Sequence, residues 1–393
     1  MHQLLTTHYW LLPFIAFFIA FVSVSLIHPL MLKLALAKDI VDKPNSRKLQ
    51  RRPIPILGGV AMSFGIFMGL GCVSPYHNSI LLVVVTVLIC MLYIGTIDDI
   101  MTMSFRLRLL IEIGCVLLLI YVGGYAINSF HGVWSVGSLP DSLSIALTLF
   151  ASVGIINAIN FIDGVDGLSS GFCIMASVIF SVFFFLFGDR SMAILAMSCC
   201  GALIPFFLHN VFGKTSKMFI GDGGTLVMGM IMSVFVIHIL DEQTAHYETA
   251  ETGNLGLIPF LIAVLSIPVF DTVRVIIRRM YHGKSPFQPD KTHLHHLFIE
   301  FGFSHSVTTV CILLLNVMVV VTWWILYTSG ASIDMQLYGV VMMAFLCTFG
   351  VYFFGKSLSH NSKMYRTMRR LGVSSHIERK GVFLWIQKKL DKV

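Results

Sequence analysis

Apolar residues run along this chain in blocks of about 18 or more, the length needed to cross a hydrocarbon core of about 30 Å. Eleven blocks read as membrane-spanning helices, near residues 10–32, 55–74, 79–97, 107–125, 141–159, 167–187, 191–209, 223–240, 255–276, 307–328 and 336–355. No soluble core needs so many blocks of that length. The first, from Trp10 to Leu32, has no basic segment before it, so it reads as a span and not as a cleaved leader. The expected fold is all-α and polytopic, a single transmembrane catalytic domain over 1–355 followed by a basic tail over 356–393.

The stretches between blocks differ in sign. Cytoplasmic loops close to spans hold an excess of Lys and Arg. With the N-terminus outside, the loop 33–53, Arg106, Arg108, Lys214, Lys217, the region 274–306 and the tail all face the cytoplasm. Together they hold 26 of the 27 Lys and Arg, leaving Arg190 outside. Asp189, Asp241, Glu242, Glu248, Glu251 and Asp334 fall on the external side. The N-terminus is therefore expected out and the C-terminus in.

Composition agrees with the blocks: 56% of the 393 residues are hydrophobic and 12% are charged, where a soluble domain carries about a quarter. The net charge of +7 reports topology and calls for no nucleic-acid partner. Eight cysteines sit inside apolar runs without CxxC spacing and read as small apolar fillers. The tail mixes Arg369, Lys388 and Lys389 with Phe383, Leu384 and Trp385, which suits either an amphipathic helix on anionic membrane lipids or a solvated tail.

Four polar clusters fall on the cytoplasmic side. Asp98-Asp99 closes the third block, and adjacent carboxylates there repel unless a cation or proton lies between them; helix capping is the plainer reading. Asn160-Phe161-Ile162-Asp163-Gly164-Val165-Asp166-Gly167 puts two Asp-Gly pairs in a tight turn. It lacks the ligand series of a twelve-residue Ca²⁺ loop. Phe219-Ile220-Gly221-Asp222-Gly223-Gly224-Thr225 sets one carboxylate among glycines, which suits a hard cation bridging to phosphate oxygens or a flexible loop. Arg278-Arg279 is followed by His293, His295 and His296, without the Cys or Glu of a zinc site; the set suits a diphosphate or sugar hydroxyls. Two charged pairs read as structure, Arg108 with Glu112 and Asp271 with Arg274, spaced to face each other on a helix. Gly65 and Gly69 suit a helix-packing face, and His28, His209 and His238 read as packing or interfacial.

In order, these stretches resemble the polyprenyl-phosphate N-acetylhexosamine-1-phosphate transferases. The matching pieces are Val41-Asp42-Lys43-Pro44-Asn45 with Arg47, Pro55-Ile56-Leu57-Gly58-Gly59, Asp98-Asp99, and the run from Asn157 to Leu168. Asn210, Phe219-Ile220-Gly221-Asp222, Ser285-Pro286-Phe287 and an Asp290-Lys291-x-His293-x-His295-His296 run complete the set. The histidine run looks like the bacterial branch that uses UDP-GlcNAc and undecaprenyl phosphate. Thr102 stands where relatives often carry a third Asp, and Ile220 where Met is more usual.

The resemblance implies phosphoryl transfer: the lipid phosphate attacks the β-phosphorus of UDP-GlcNAc and UMP leaves, with a covalent Asp intermediate as the rival route. It implies Mg²⁺, with Mn²⁺ as a substitute, held by Asp222 and Asn160. Asp98 and Asp99 would then receive or orient the lipid phosphate. Asp163, Gly164, Asp166, Asn210 and Phe219 would line the uridine site, with Arg51 or Arg52 near the nucleotide. His293, His295, His296, Arg278 and Arg279 would hold diphosphate and sugar. The product would start O-antigen, common antigen or another surface polysaccharide at the inner membrane, and a homodimer is the expected assembly. The alternatives are another UDP-N-acetylhexosamine and, more distantly, a secondary transporter of an anionic solute. The transporter reading is disfavoured because the polar clusters sit in loops on one side, not on broken helices near the bilayer midplane.

Overall fold

The computed structural model describes residues 9–44, 52–73, 79–242, 247, 253–286, 291–376 and 380–392. Asn45, Arg47, Arg51, Glu248, Glu251, Phe287 and Asp290 lie outside them. The protein is an α-helical, multi-pass membrane protein. All eleven apolar blocks are helical. Among the described residues, eight helices are long and apolar enough to cross a membrane, or nine if one bent pair counts as a single span. Two expected spans are shorter helices, Gly58–Val73 at 16 residues and Phe105–Tyr121 at 17. Helix Leu12–Ala37 leaves Phe18, Leu26 and Leu30 exposed, as lipid-facing positions require.

The chain divides into two compact units. The first comprises 1–123, 169–231 and 379–393, the second 124–168 and 232–378. The tail is thus shared between them, with helix Val382–Leu390 in the first and Lys363–Ser374 in the second.

In the first unit, helix Leu12–Ala37 packs on Gly58–Val73 and on Arg190–Phe212. A Cβ at Gly69 would lie 2.8 Å from Ala16 O, and one at Gly65 3.0 Å from Ala20 O. These two glycines therefore do form a close helix-packing face. A two-stranded hairpin follows, pairing Val41 with Pro55 and Asp42 with Ile54. Ala35, Leu57, Ala61 and Met218 form a small apolar core beside it. Phe219 N donates to Pro55 O at 2.7 Å, and Gly58 N and Gly59 N donate to Phe219 O and Ile220 O at 3.0 and 2.8 Å. The segment entering helix Gly221–Leu240 is thereby tied to the hairpin.

In the second unit, the span expected near 255–276 is not straight. Helices Leu257–Val264 and Ser266–Tyr281 meet at a bend of 74°. Pro268 has no N–H for Val264 O, so the helical ladder breaks there. Buried Asn316 takes up the groups released: its Nδ2 donates to Val264 O at 3.0 Å, and its Oδ1 accepts from Ile267 N at 3.0 Å and Ser266 Oγ at 2.9 Å. Broken backbone at membrane depth needs such internal partners. Helix Lys363–Ser374 folds back here, with Tyr365 and Phe301 rings 5.5 Å apart.

All eight cysteines are thiols. Cys115, Cys173, Cys199, Cys200 and Cys347 are buried, while Cys72 and Cys90 are exposed.

Candidate active site

In the first unit, helix Ser79–Met101 carries Asp98 and Asp99 in its last turn, and helix Gly221–Leu240 carries Asp222 in its first. The glycine-rich stretch expected as a loop before a span is the start of the helix itself. Asp99 spans the entrance, accepting from Asp222 N at 2.8 Å and Gly223 N at 3.1 Å. The first N–H groups of a helix lack intrahelical acceptors, and a carboxylate there is favoured by the helix dipole. Gly221 is at φ 67°, and a Cβ on it would strike the Asp99 carboxylate. Glycine is thus required by both backbone and space.

Asp98 accepts from Met103 N at 2.6 Å, closing the turn in which Thr102 holds φ 50°. Its other oxygen lies 3.4 Å from Arg108 Nη1. The same Nη1 is 3.6 Å from Asp222 Oδ2, and Arg108 Nε is 3.5 Å from Glu112 Oε1. Arg108 and Glu112 pair as the sequence spacing implied, but Arg108 also joins Asp98 to Asp222. Sequence reasoning missed that role. The signal available was a cation four residues into a helix that begins just after two carboxylates. Asp222 is the most open member, its side chain 34% exposed against 11% for Asp98 and 1% for Glu112.

Nearby in the same unit, Asn210 Nδ2 donates to Met218 O at 2.9 Å and is buried. Phe219 has the Lys217 ammonium 5.6 Å from its ring centre. Arg52 is exposed; Asp42 is half-buried in the hairpin, and Lys43 pairs with Asp39 at 2.8 Å.

In the second unit, the acidic turn and the histidine run come together across more than a hundred residues of chain. Asp166 Oδ2 lies 3.0 Å from His305 Nδ1, and Asp166 O accepts from Thr309 Oγ1 at 2.9 Å. A Cβ on Gly164 would strike the His295 ring. Asp163 and Gly164 are exposed and Asn160 half-buried. His293 and His295 stack in parallel with ring centres 5.7 Å apart, and His296 lies 4.3 Å from His295. Burial of the His295 ring lowers its pKa well below the ordinary imidazole value; His296 and His293 add to the effect and Asp271 opposes it. His295 is therefore neutral at pH 7.

Asp271 organises this cluster, and it too was read from sequence only as half of an ion pair. Its Oδ1 lies 2.6 Å from Arg274 Nη2, its Oδ2 2.9 Å from His293 Nδ1, and both oxygens accept from Leu294 N at 3.2 Å. A carboxylate can only accept, so His293 Nδ1 donates to Asp271, which fixes the orientation of the ring. Arg274 Nη2 also donates to Thr292 O at 2.6 Å, and its guanidinium covers the Tyr352 ring at 3.7 Å. Arg278 hydrogen-bonds Tyr352 Oη, and Arg279, buried, donates to Pro286 O. Arg274, through Thr292 O, and Arg279, through Pro286 O, thus shape the segment that leads to the histidines.

Among the described residues, no three His, Cys, Asp or Glu side chains gather as a metal-ligand set. An all-protein cage is not what Mg²⁺ needs, since it uses one or two carboxylates and completes its shell with water and phosphate. Asp98, Glu112 and Asp222 around one guanidinium, with Asp99 on the helix entrance and Asp222 more exposed than Asp98 or Glu112, suit that demand in charge and donor type.

The glycosyl transferase family 4 model matches residues 80–240. An undecaprenyl-phosphate alpha-N-acetylglucosaminyl 1-phosphate transferase of Escherichia coli (strain K12) is 32% identical over 279 residues, covering 69% of this chain and 72% of the relative. Transferases of the same name from Salmonella typhi and Yersinia pestis are 29% and 27% identical over 279 residues, again over 69% of this chain and 72% and 73% of theirs. The chain belongs to glycosyl transferase family 4 and is a membrane phosphoglycosyltransferase.

Proposed function

We propose that the protein transfers GlcNAc-1-phosphate from UDP-GlcNAc to undecaprenyl phosphate and releases UMP. An oxygen of the lipid phosphate forms a bond to the β-phosphorus of UDP-GlcNAc, and the bond from that phosphorus to the oxygen bridging to the α-phosphate breaks. The relatives' printed names support this acceptor and this sugar. The observation that carries the reading is the carboxylate cluster at the entrance to helix Gly221–Leu240. Phosphoryl transfer needs alignment and charge neutralisation more than covalent help from the protein. A phosphate monoester, with a second pKa near about 6, is largely dianionic at neutral pH, so a strong general base is not demanded.

In this reading Asp222 holds Mg²⁺, which when bound neutralises charge on the diphosphate. Asp99 fixes Asp222 through the backbone, and Asp98 holds the Arg108 guanidinium that Asp222 also approaches. Either Asp98 or Asp99 also orients the lipid phosphate. His293, His295 and His296 face diphosphate and sugar, His293 oriented by Asp271. In the first unit Asn210 and Phe219 serve the uridine, and the resemblance gives Asp163, Gly164 and Asp166 a nucleotide-binding role. The active face is cytoplasmic, where the Lys and Arg excess sits and UDP-sugars are available. The lipid-linked diphospho-GlcNAc then starts O-antigen, common antigen or another surface polysaccharide.

The test is release of UMP by purified protein given undecaprenyl phosphate, Mg²⁺ and a panel of UDP-sugars. UDP-GlcNAc should be used best. No UMP release from any UDP-sugar overturns the reaction, and preference for another UDP-N-acetylhexosamine overturns the sugar. Exchange of labelled UMP into UDP-GlcNAc without lipid would replace direct attack by a covalent Asp intermediate.

A further inference from the structure

The segment between helices Arg190–Phe212 and Gly221–Leu240 delivers Phe219 and Asp222, and it is held along its length. Asn210 grips Met218 O, and the hairpin grips Phe219 and Ile220. The Ser216 carbonyl accepts from His28 Nε2 at 3.0 Å, and the His28 ring stacks on His209 at 4.1 Å. The remaining hold comes from a residue far along the chain. Asp391 Oδ1 accepts from Lys214 N at 2.9 Å, Thr215 N at 2.9 Å, Ser216 N at 3.0 Å and Ser216 Oγ at 3.0 Å.

We infer that Asp391 is a positioning residue: its carboxylate, carried at the end of helix Val382–Leu390, latches residues 214–216 and through them the segment that presents Phe219 and Asp222 to the nucleotide-sugar. The inference rests on the donor site proposed above.

Three features support it. Three successive backbone N–H groups converging on one oxygen form an anion-binding nest, and here the anion belongs to the protein. Secondly, a carboxylate at a helix C-terminus is opposed by the helix dipole, so the local helix does not explain Asp391. Desolvation, the largest single cause, would raise the Asp391 pKa, but the N–H groups of Ser216, Lys214 and Thr215 with the Ser216 hydroxyl together outweigh it and bring it down to about 2. The latch is therefore charged at any physiological pH. Thirdly, the helix that carries it is itself anchored: Phe383 stacks on Phe212 with ring centres 5.9 Å apart, and Gln387 Nε2 steadies Asp391 Oδ2 at 3.3 Å.

The experiment compares wild type, Asp391→Ala and Asp391→Asn in the full chain, by backbone hydrogen exchange at Lys214–Ser216 and by UMP-release kinetics. In Asp391→Ala, exchange should speed up about tenfold and the KM for UDP-GlcNAc rise about fivefold, the scale of one lost charge-assisted hydrogen bond felt through the loop. The kcat and the KM for undecaprenyl phosphate should change less than about twofold. Asp391→Asn, which keeps one acceptor oxygen, should fall between. Unchanged exchange overturns the latch whatever the donor, and faster exchange with unchanged KM reduces Asp391 to a structural tie and overturns the positioning role. A wild-type enzyme that releases no UMP from UDP-GlcNAc sinks the donor assignment instead, and exchange alone then decides the latch.

Discussion

Around Arg108, one guanidinium faces the carboxylates of Asp98, Glu112 and Asp222, with Asp99 beside them on the helix entrance. Around Asp271, one carboxylate is surrounded by Arg274, His293 and the Leu294 amide. Both clusters place ionised groups in a chain built mainly of apolar residues, where an uncompensated charge is costly. The second is balanced from within, its buried carboxylate engaged by the cation, the imidazole and the amide. The first carries more carboxylates than its guanidinium offsets, and Asp222 is more exposed than Asp98 or Glu112. The difference separates a framework that orients histidines from a centre whose charge suits a bound cation and the phosphates it accompanies.

The largest effect should come from removing the exposed carboxylate. Asp222→Ala is expected to lower UMP release by more than about a thousandfold, the scale on which phosphoryl-transfer enzymes depend on charge-stabilising groups. Its thermal midpoint in detergent should stay close to wild type, because Asp222 is less buried than Asp98 or Glu112. An active Asp222→Ala enzyme, or one that fails to fold, erases the contrast drawn here.

Asp271→Ala should show the opposite signature. Arg274 is 1% exposed, and taking away its carboxylate leaves a buried cation uncompensated, at a cost of about 3–5 kcal/mol. Thermal unfolding should report that loss directly, and Asp271→Asn should recover part of it by accepting hydrogen bonds without charge. If Asp271→Ala unfolds like wild type, the second cluster is not the framework its geometry implies.

Much of this was legible in sequence, and the reasons for what was not are physical. Apolar blocks of spanning length gave the helices, because hydrocarbon leaves little choice of structure. The Asp-Gly pairs and the histidine run drew attention because polar residues gather there against an apolar background. The bend at Leu265 was hidden, since Pro268 could equally end, kink or begin a helix, and only Asn316, some fifty residues later, makes the broken ladder tolerable. Arg108 and Asp271 were visible as i,i+4 and i,i+3 pairs. Their further partners, Asp222 and His293, are distant in sequence and follow from the fold alone. Asp391 and His305 carry no local signal, because each is one polar residue among many near a helix end.

A smaller effect sharpens the second cluster. Gly164 leaves room for the His295 ring, and Gly164→Ala puts a methyl where that ring lies. Overpacking of this kind costs about 1–3 kcal/mol, so kcat/KM should fall about tenfold or more as the ring or the acidic turn shifts. Recovery of the thermal midpoint in Gly164→Ala by a smaller residue at 295 would show that the clash is the cause. Wild-type kinetics in Gly164→Ala would separate the acidic turn from the histidines.

The smallest effect is a slope against pH. His295 is buried as a neutral ring and its pKa lies well below the ordinary 6.5. An unfolded chain takes up a proton at His295 as pH falls through about 6.5, while the folded chain does not. The unfolded state therefore binds more protons below that pH, and stability falls as the solution is made more acidic, by at most about 1.4 kcal/mol per pH unit for this one group. Asp391 does not interfere. Its pKa of about 2 means that its contribution is complete above the ordinary carboxylate range and is lost only as pH falls from there toward 2. Between pH 7 and pH 5 the thermal midpoint should decline, and His295→Gln should remove a part of that slope while lowering the midpoint at pH 7. Equal slopes for wild type and His295→Gln would place the pH sensitivity elsewhere and leave His295 as a packing residue. A flatter slope in the variant would identify the neutral imidazole as a feature the folded second unit maintains against protonation.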